Sequence, residues 1–410
     1  MDRNSFIFSE YQTSDTLERN KEHFPDDTEF LNKVCSFKTN DMLFGYGNQE
    51  NKFHPFELVA LKNRKIGVKS RHYVGFLCCK GKILHVKPKI PDADFIYMLY
   101  RTLLSVKIPE GADFASVENP MILYLALAFV SLYKTEIVPR GLVREYCPRE
   151  ENLNRIQGRI HHLQNLRQNF GLQHKIYCGY DDYTLNTISN QILRYTQSLL
   201  LHKSDNPFIS ELAKDLRQIR TDLADVDKVL IRPECFQPLF YNRLNQHYKT
   251  IHQICRLIIL ERETPEARAQ EETYGFFIDM NKLFERYVGV LLKEANPKIE
   301  EQKSENLYNS HVVKPDFYLK SQNLIMDAKY KYVTDNNENI RKVGFGDIAS
   351  GDLYQLITYC ALFHTTGAWL IYPSIGKDHD CVEDGLEENS LTTYKLKFKM
   401  DDTGSQVKIE

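Results

Sequence analysis

Residues 1 to about 110 alternate short apolar runs with polar breaks, a pattern of strands rather than helices. The clearest pair is RHYVGFLCCKGKILHVKPKI (Arg71 to Ile90), where two apolar runs flank Lys80-Gly81-Lys82, the composition of a hairpin. From about 120 to 260 the period changes. YTLNTISNQILRYTQSLLLH and NQHYKTIHQICRLIIL carry apolar residues three and four apart over several turns, which predicts amphipathic helices. PMILYLALAFVSLY (Pro120 to Tyr133) is apolar throughout but too short to span a bilayer, and reads as a buried helix. ERETPEARAQEETYG (Glu261 to Gly275) lacks large aliphatic residues and contains Pro265, as a linker does. The chain therefore reads as an α+β protein with a β-rich N-terminal region (1–115), a mostly helical middle region (116–262), a linker (263–275) and a C-terminal region (276–410).

The C-terminal region has its own order. FIDMNKLFERYVGVLLKEA predicts a helix with Phe284, Tyr287, Val288 and Leu291 on one face. KIEEQKS, HVVKPDFYLK and NLIMDAKYKYV read as three strands, GDLYQLITYCALFH as a helix and AWLIYP as a further strand, giving α-β-β-β-α-β. An acidic stretch, KDHDCVEDGLEENS, and a last strand, TTYKLKFKM, follow.

Two of these strands each carry an aspartate among apolar residues, a costly placement without a partner. Alternation puts Asp327 and Lys329 on one face of their strand, with Met326, Ala328 and Tyr330 on the other. If the two runs pair as an antiparallel hairpin, Asp316 comes near Asp327 across the ladder. Carboxylates that close repel, and one is driven to protonate unless a cation lies between them. Mg²⁺ takes a few carboxylate oxygens and keeps several waters. A metal-bound water beside a lysine is equipment for hydrolysing a phosphodiester. Pro315 suits a place where the strand bulges or lacks a ladder partner, which would swing Asp316 toward such a metal. Glu285, on the preceding helix, could supply a third acidic ligand, and Gln355 and Tyr359 at i and i+4 share a face of the following helix. Taken singly, each has a plainer reading: a surface ion pair for Asp327 and Lys329, an exposed glutamate, a polar helix edge. Their occurrence together and in this order favours a site.

Net charge is −2, so bulk charge does not point to nucleic acid, and any basic surface must be local. Between Arg140 and Lys175 seven Lys/Arg stand against three Glu, which fits a solvated face or a patch for a partner or for DNA phosphates. The nine cysteines are scattered with no CxxC pair, arguing for reduced thiols rather than a zinc knuckle or a disulfide framework. MDRNSFIFSEYQ has no signal-peptide pattern, so the chain is expected to be cytoplasmic. No G-x-x-x-x-G-K-[ST] phosphate loop occurs, so a nucleotide-driven step would have to come from another chain.

Glu285, Pro315-Asp316, Asp327-Ala328-Lys329 and Gln355 with Tyr359 together resemble the PD-(D/E)xK (restriction-endonuclease-like) nuclease superfamily, including the QxxxY element of its RecB-like branch. Within it the sequence resembles the McrC family, nuclease subunits of the McrBC restriction systems. MNKLFERYVGVLL, DAKYKYV, DLYQLITYCALF, WLIYP, GLVREYCPREENLNRIQGRI, YDDYTLNTISNQIL and YVGFLCCKGKILHVKPKI all carry that likeness, from roughly residue 70 to 373. The resemblance implies a nuclease fold for 276–410, with Asp316 and Asp327 as metal ligands and Lys329 as the catalytic lysine. Glu285 would be a supporting acidic residue and metal ligand, and Gln355 and Tyr359 would orient the site or the DNA backbone. It also implies Mg²⁺, or Mn²⁺, as cofactor, double-stranded DNA containing 5-methylcytosine as substrate, and no membrane. The partner would be a hexameric AAA+ GTPase of the McrB type, bound through the N-terminal region and stimulated by it. The Arg71 to Ile90 hairpin is a candidate contact for that partner. An LlaJI-type system, cutting unmethylated recognition sequences, and a non-catalytic activator of the GTPase are the alternatives. Where relatives read DT…NRIL, this chain has Asn186-Thr187 and Asn190-Gln191-Ile192-Leu193, a departure in the middle region and not in the presumed site.

Overall fold

The computed structural model describes residues 5–14, 24–25, 27–40, 52–61, 65–90, 92–104, 120–172, 174–202, 209–260, 273–303, 305–308, 311–331, 333–334, 340–341, 345–365, 367–373, 391–400 and 407–409. The acidic stretch after Pro373 and most of the predicted linker lie outside these residues. The chain divides into two units, Met1–Ala115 together with Ala269–Glu410, and Ser116–Arg268.

In the first unit, strand β1 (Ser5–Ser9) is followed by helix α1 (Thr28–Ser36) and the short strands β2 (Thr39–Asn40) and β3 (Lys52–Phe53). Two hairpins come next, β4 (Phe56–Ala60) with β5 (Ile66–Ser70) and β6 (Tyr73–Cys79) with β7 (Lys82–Lys87), and then helix α2 (Asp92–Leu104). The β6–β7 hairpin is the one its sequence predicts. Lys80 and Gly81 both take positive φ, 49° and 73°, as a two-residue turn matched to strand twist demands. β1 adds to β7 in parallel, and Phe6, Phe8, Leu77, Leu84 and Val86 pack with Phe30, Leu31 and Val34 of α1 in one apolar cluster.

The second unit begins with α3 (Pro120–Leu132), whose described side chains are almost all buried and which runs into a π-helical turn at Tyr133–Ile137. Among the described residues no helix is long and apolar enough to cross a membrane. Helices α4 (His162–Asn169), α5 (Ile188–Leu201), α6 (Ile209–Asp222) and α7 (Tyr248–Leu260) agree with the helical reading. The same region also holds a ladder that the periodicity does not predict: β8 (Glu145–Leu153) pairs along its length with β10 (Ile176–Thr184), which also pairs with β9 (Arg159–Ile160). EYCPREENL has no apolar face to reveal a strand, because both faces of β8 carry polar residues. Among the described residues, Arg149 of this basic stretch pairs with Asp182 at 3.0 Å and Arg140 pairs with Glu136.

The departures at 186 and 191 face each other. Gln191 Nε2 donates to Asn186 Oδ1 at 2.9 Å, so the two positions form an amide pair. Beside them Asn190 is fully buried; it donates to the carbonyls of Val143 (2.8 Å) and Leu185 (2.7 Å) and accepts from the Tyr248 hydroxyl (2.7 Å). Asn190→Ala strands these groups in a dry interior and is expected to cost about 3 kcal/mol, read as a lowered urea midpoint.

The chain re-enters the first unit at β11 (Tyr274–Asp279). All six of its residues are buried, and it pairs antiparallel with β6 to complete a sheet of order β1-β7-β6-β11. This corrects the predicted boundary: Tyr274 and Gly275 belong to a strand, not a linker, and FID belongs to that strand, not the next helix. The apolar run is a buried strand at the end of that order, and Asp279 ends it by capping α8 (Met280–Ala295), accepting from the amides of Asn281 and Lys282. β6 accommodates the strand at Gly75 (φ +155°), where a Cβ would stand 2.0 Å from the Phe276 carbonyl oxygen.

The remaining strands are β12 (Glu300–Glu301), β13 (Glu305–Tyr308), β14 (His311–Val313), β15 (Phe317–Leu319), β16 (Leu324–Ala328), β17 (Val333–Thr334) and β18 (Ile340–Arg341). Helix α9 (Ser350–Phe363) and strands β19 (Gly367–Pro373), β20 (Leu391–Met400) and β21 (Val407–Ile409) follow. The main sheet has the order β12-β15-β16-β19-β20-β21, with β16 and β19 parallel. HVVKPDFYLK is two strands rather than the predicted one, since β14 pairs with β13 and β15 pairs with β16. Pro315, which has no amide to donate, sits at the break. Leu356, Tyr359 and Cys360 of α9 pack on Ile325, Ala368 and Leu370 of the sheet.

Candidate active site

The break at Pro315 and the end of β16 meet at one edge of this sheet. The register Phe317 to Met326 brings Asp316 level with Asp327, as the sequence alternation predicts. Asp316 Oδ2 accepts from the Ala328 amide at 2.8 Å. Asp327 is 1% exposed, and its Oδ2 lies 2.7 Å from Lys329 Nζ; beyond that ion pair this oxygen has no hydrogen-bond partner among the described residues. The Lys329 amide still donates to the Ile371 carbonyl (2.8 Å), so the lysine is held as an extension of β16.

Helix α9 closes the arrangement. Lys329 Nζ donates to Gln355 Oε1 at 3.0 Å, Gln355 Nε2 donates to the Tyr359 hydroxyl at 2.5 Å, and that hydroxyl donates to the Lys314 carbonyl at 3.2 Å. Lys314 precedes Pro315-Asp316, so the chain of contacts returns to where it began. Asp316, Asp327, Lys329, Gln355 and Tyr359 are thus brought together.

Glu285 is not joined to the carboxylate pair in the same way. Its Oε1 accepts from Gln302 Nε2 (2.9 Å), while the Gln302 amide donates to the Asp316 carbonyl (2.9 Å) with Gln302 at φ 48°. Glu285 is near enough to act on Asp316 electrostatically, but among the described residues no three His, Cys, Asp or Glu side chains form a ready metal cage. Asp316 and Asp327 are the pair that could hold a divalent cation.

Asp352 escaped the sequence reading. It lies in the first turn of α9, buried, with Lys331 Nζ at 2.9 and 2.7 Å from its two oxygens and the Tyr372 hydroxyl 3.4 Å away. Its spacing to Gln355 and Tyr359, three and then four residues, is the signal that places it on the same helix face.

The electrostatics follow from crowding charge into a dry edge. Burial pushes the Asp316 carboxyl up to about 8, with the charges of Asp327 and Glu285 acting in the same direction. Burial also raises Asp327, against the opposing pull of Lys329. Burial works against the Lys329 charge, but Asp327, Asp316 and Asp352 outweigh it and hold its pKa above the usual lysine value. A cation between the aspartates would relieve the repulsion of two buried carboxylates that share one ammonium, so the residues present fit one.

A family model described as McrBC 5-methylcytosine restriction system component matches residues 68–373. The chain belongs to the McrBC family. Among solved structures, this McrBC-family chain is similar to one titled as a refined half-complex from the tetradecameric assembly of Thermococcus gammatolerans McrB AAA+ hexamers with bound McrC. The two are 18% identical, with 99% of this chain and 93% of that chain covered at a TM-score of 0.47. A second, the Thermococcus gammatolerans McrBC complex, is also 18% identical, with 72% and 89% covered at a TM-score of 0.34. No curated protein matches.

Proposed function

We propose that this chain is the McrC-type nuclease subunit of a GTP-dependent restriction complex, a Mg²⁺-dependent endonuclease acting on double-stranded DNA that contains 5-methylcytosine. The observation that carries the reading is the closed set of contacts from Asp316 through Asp327, Lys329, Gln355 and Tyr359 back to Lys314. It has the residue types and order of a PD-(D/E)xK centre, in a chain of a restriction-system family.

Asp316 and Asp327 would hold the cation, with Glu285 and Gln302 behind Asp316. When bound, Mg²⁺ would add positive charge at the scissile phosphate and lower the pKa of a bound water. Lys329 keeps its proton, so its part is electrostatic: the ammonium, fixed between Asp327 and Gln355, is aimed where negative charge develops on the phosphate oxygens. Gln355 and Tyr359 hold that ammonium in one place and save the cost of ordering it during reaction. The missing phosphate loop supports assigning GTP to a partner, a hexameric AAA+ GTPase of the McrB type.

The test mixes the protein with an AAA+ GTPase of the McrB type, GTP and Mg²⁺, on methylated and unmethylated DNA. Cutting of methylated DNA alone is the expected outcome. Cutting only of unmethylated DNA would move the chain to the LlaJI type, and GTPase stimulation without any cutting would make it an activator.

A further inference from the structure

Immediately after Lys329 the chain turns sharply. The Lys331 amide donates to the Lys329 carbonyl at 2.9 Å, a γ-turn with Tyr330 at its centre. Such a turn has a single weak hydrogen bond of its own, so its shape must be set by what its side chains hold. Lys329 is tied to Asp327 and Gln355, and Lys331 to Asp352. Tyr330 points the other way: its ring centroid is 6.0 Å from that of Phe284 on α8, and its hydroxyl donates to Glu10 Oε2 at 2.9 Å.

Glu10 follows β1 in the N-terminal sheet. Its amide donates to the Lys87 carbonyl (3.2 Å), and its Oε2 also accepts from the Lys89 amide (2.9 Å). It is 2% exposed, and its other oxygen is buried with no hydrogen-bond partner among the described residues. A carboxyl group in such a place costs free energy, and nothing in the β1–β7 pairing calls for one. Burial raises its pKa, against the opposing hydrogen bonds from Lys89 and Tyr330.

We propose that Glu10 is a positioning residue of the nuclease site: through the Tyr330 hydroxyl it fixes the γ-turn that aims Lys329 between Asp327 and Gln355. The proposal rests on the nuclease reading of that site. It also gives the N-terminal sheet, for which the sequence suggests only partner binding, a part in the chemistry.

The test uses Tyr330→Phe, Glu10→Met, their double variant and Glu10→Gln, which keeps an acceptor for the hydroxyl. The first readout needs neither metal nor DNA: trace acylation of lysines by an amine-reactive ester, quantified by peptide mass spectrometry. Tyr330→Phe and Glu10→Met should raise labelling of Lys329 several-fold and leave lysines outside the turn unchanged, while Glu10→Gln stays near wild type. The second is cleavage with the partner GTPase, where kcat should fall about tenfold at constant KM for DNA, as a slight misplacement of a catalytic group does. The double variant should lose no more than either single one. Unchanged Lys329 labelling in folded Tyr330→Phe overturns the proposal, and so does a uniform rise at all lysines, which marks general loosening. Should Glu10→Met not fold, Tyr330→Phe against Glu10→Gln still decides. A wild type that cuts no DNA while the labelling shift appears would sink the nuclease reading and leave the positioning supported.

Discussion

Asp327→Asn is expected to lower DNA cleavage by the complex about 10³-fold or more while stimulation of the partner GTPase persists. The substitution keeps the shape of a side chain that is almost wholly buried and removes its charge. Two things fail together. A cation loses one of its two carboxylates, and Lys329 loses the ion pair at 2.7 Å that fixes its ammonium. Gln355 alone, at 3.0 Å, would leave Lys329 free to swing about that single contact. The measurement is single-turnover cleavage of methylated DNA beside GTP hydrolysis by the same complex. Retention of a tenth or more of the wild-type rate would show that the chemistry lies elsewhere. Loss of GTPase stimulation as well would indicate misfolding and call for Asp327→Ala and Lys329→Ala as second variants.

The site pairs were legible because they depend on local periods. Strand alternation puts Asp327 with Lys329, helical spacing puts Gln355 with Tyr359, and a proline marks the break that carries Asp316. What was hidden depends on contacts distant in sequence. Glu285 lies on the predicted helix, but Gln302, in a positive-φ turn, takes its carboxylate. Asp352 looked like an ordinary acidic residue in a helix's first turn until Lys331 and Tyr372 came into contact with it. Strand β11 falls where the sequence suggests the end of a linker and the start of a helix, because a short apolar run has no period that separates strand from buried helix. Its partner, β6, lies some two hundred residues earlier, and only that pairing shows what the run is. The strands β8 and β10 were silent for the opposite reason, since a ladder with polar residues on both faces has no apolar alternation to display.

Asp316→Asn should do the reverse of what most substitutions at ordered positions do: in the presence of a chelator at pH 8 it should make the protein more stable. Native Asp316 has its pKa raised from the usual carboxylate range to about 8, so the folded state binds its proton more tightly than the unfolded chain. The stability this lends is fully present below about pH 4, where the carboxyl is protonated in both states, and is lost as pH rises toward about 8. The amide cannot ionise and keeps an oxygen to accept from Ala328. The advantage of the variant should therefore grow from near zero at about pH 4 and level off above about pH 8. Its size should be of the order of 2 kcal/mol, less than the full shift implies, because Asp316 is only partly buried and Lys329 is near. Saturating Mg²⁺ should reverse the ranking, since the wild type gains the binding free energy of a cation for which the variant lacks one of the two carboxylates. Thermal melts at four pH values, with chelator and with Mg²⁺, test this directly. A wild type that is the more stable protein at every pH without metal would mean that its two aspartates do not repel as their burial and proximity require. The stability given up by keeping both carboxylates is then the measure of how far this edge of the sheet is built for a cation rather than for folding.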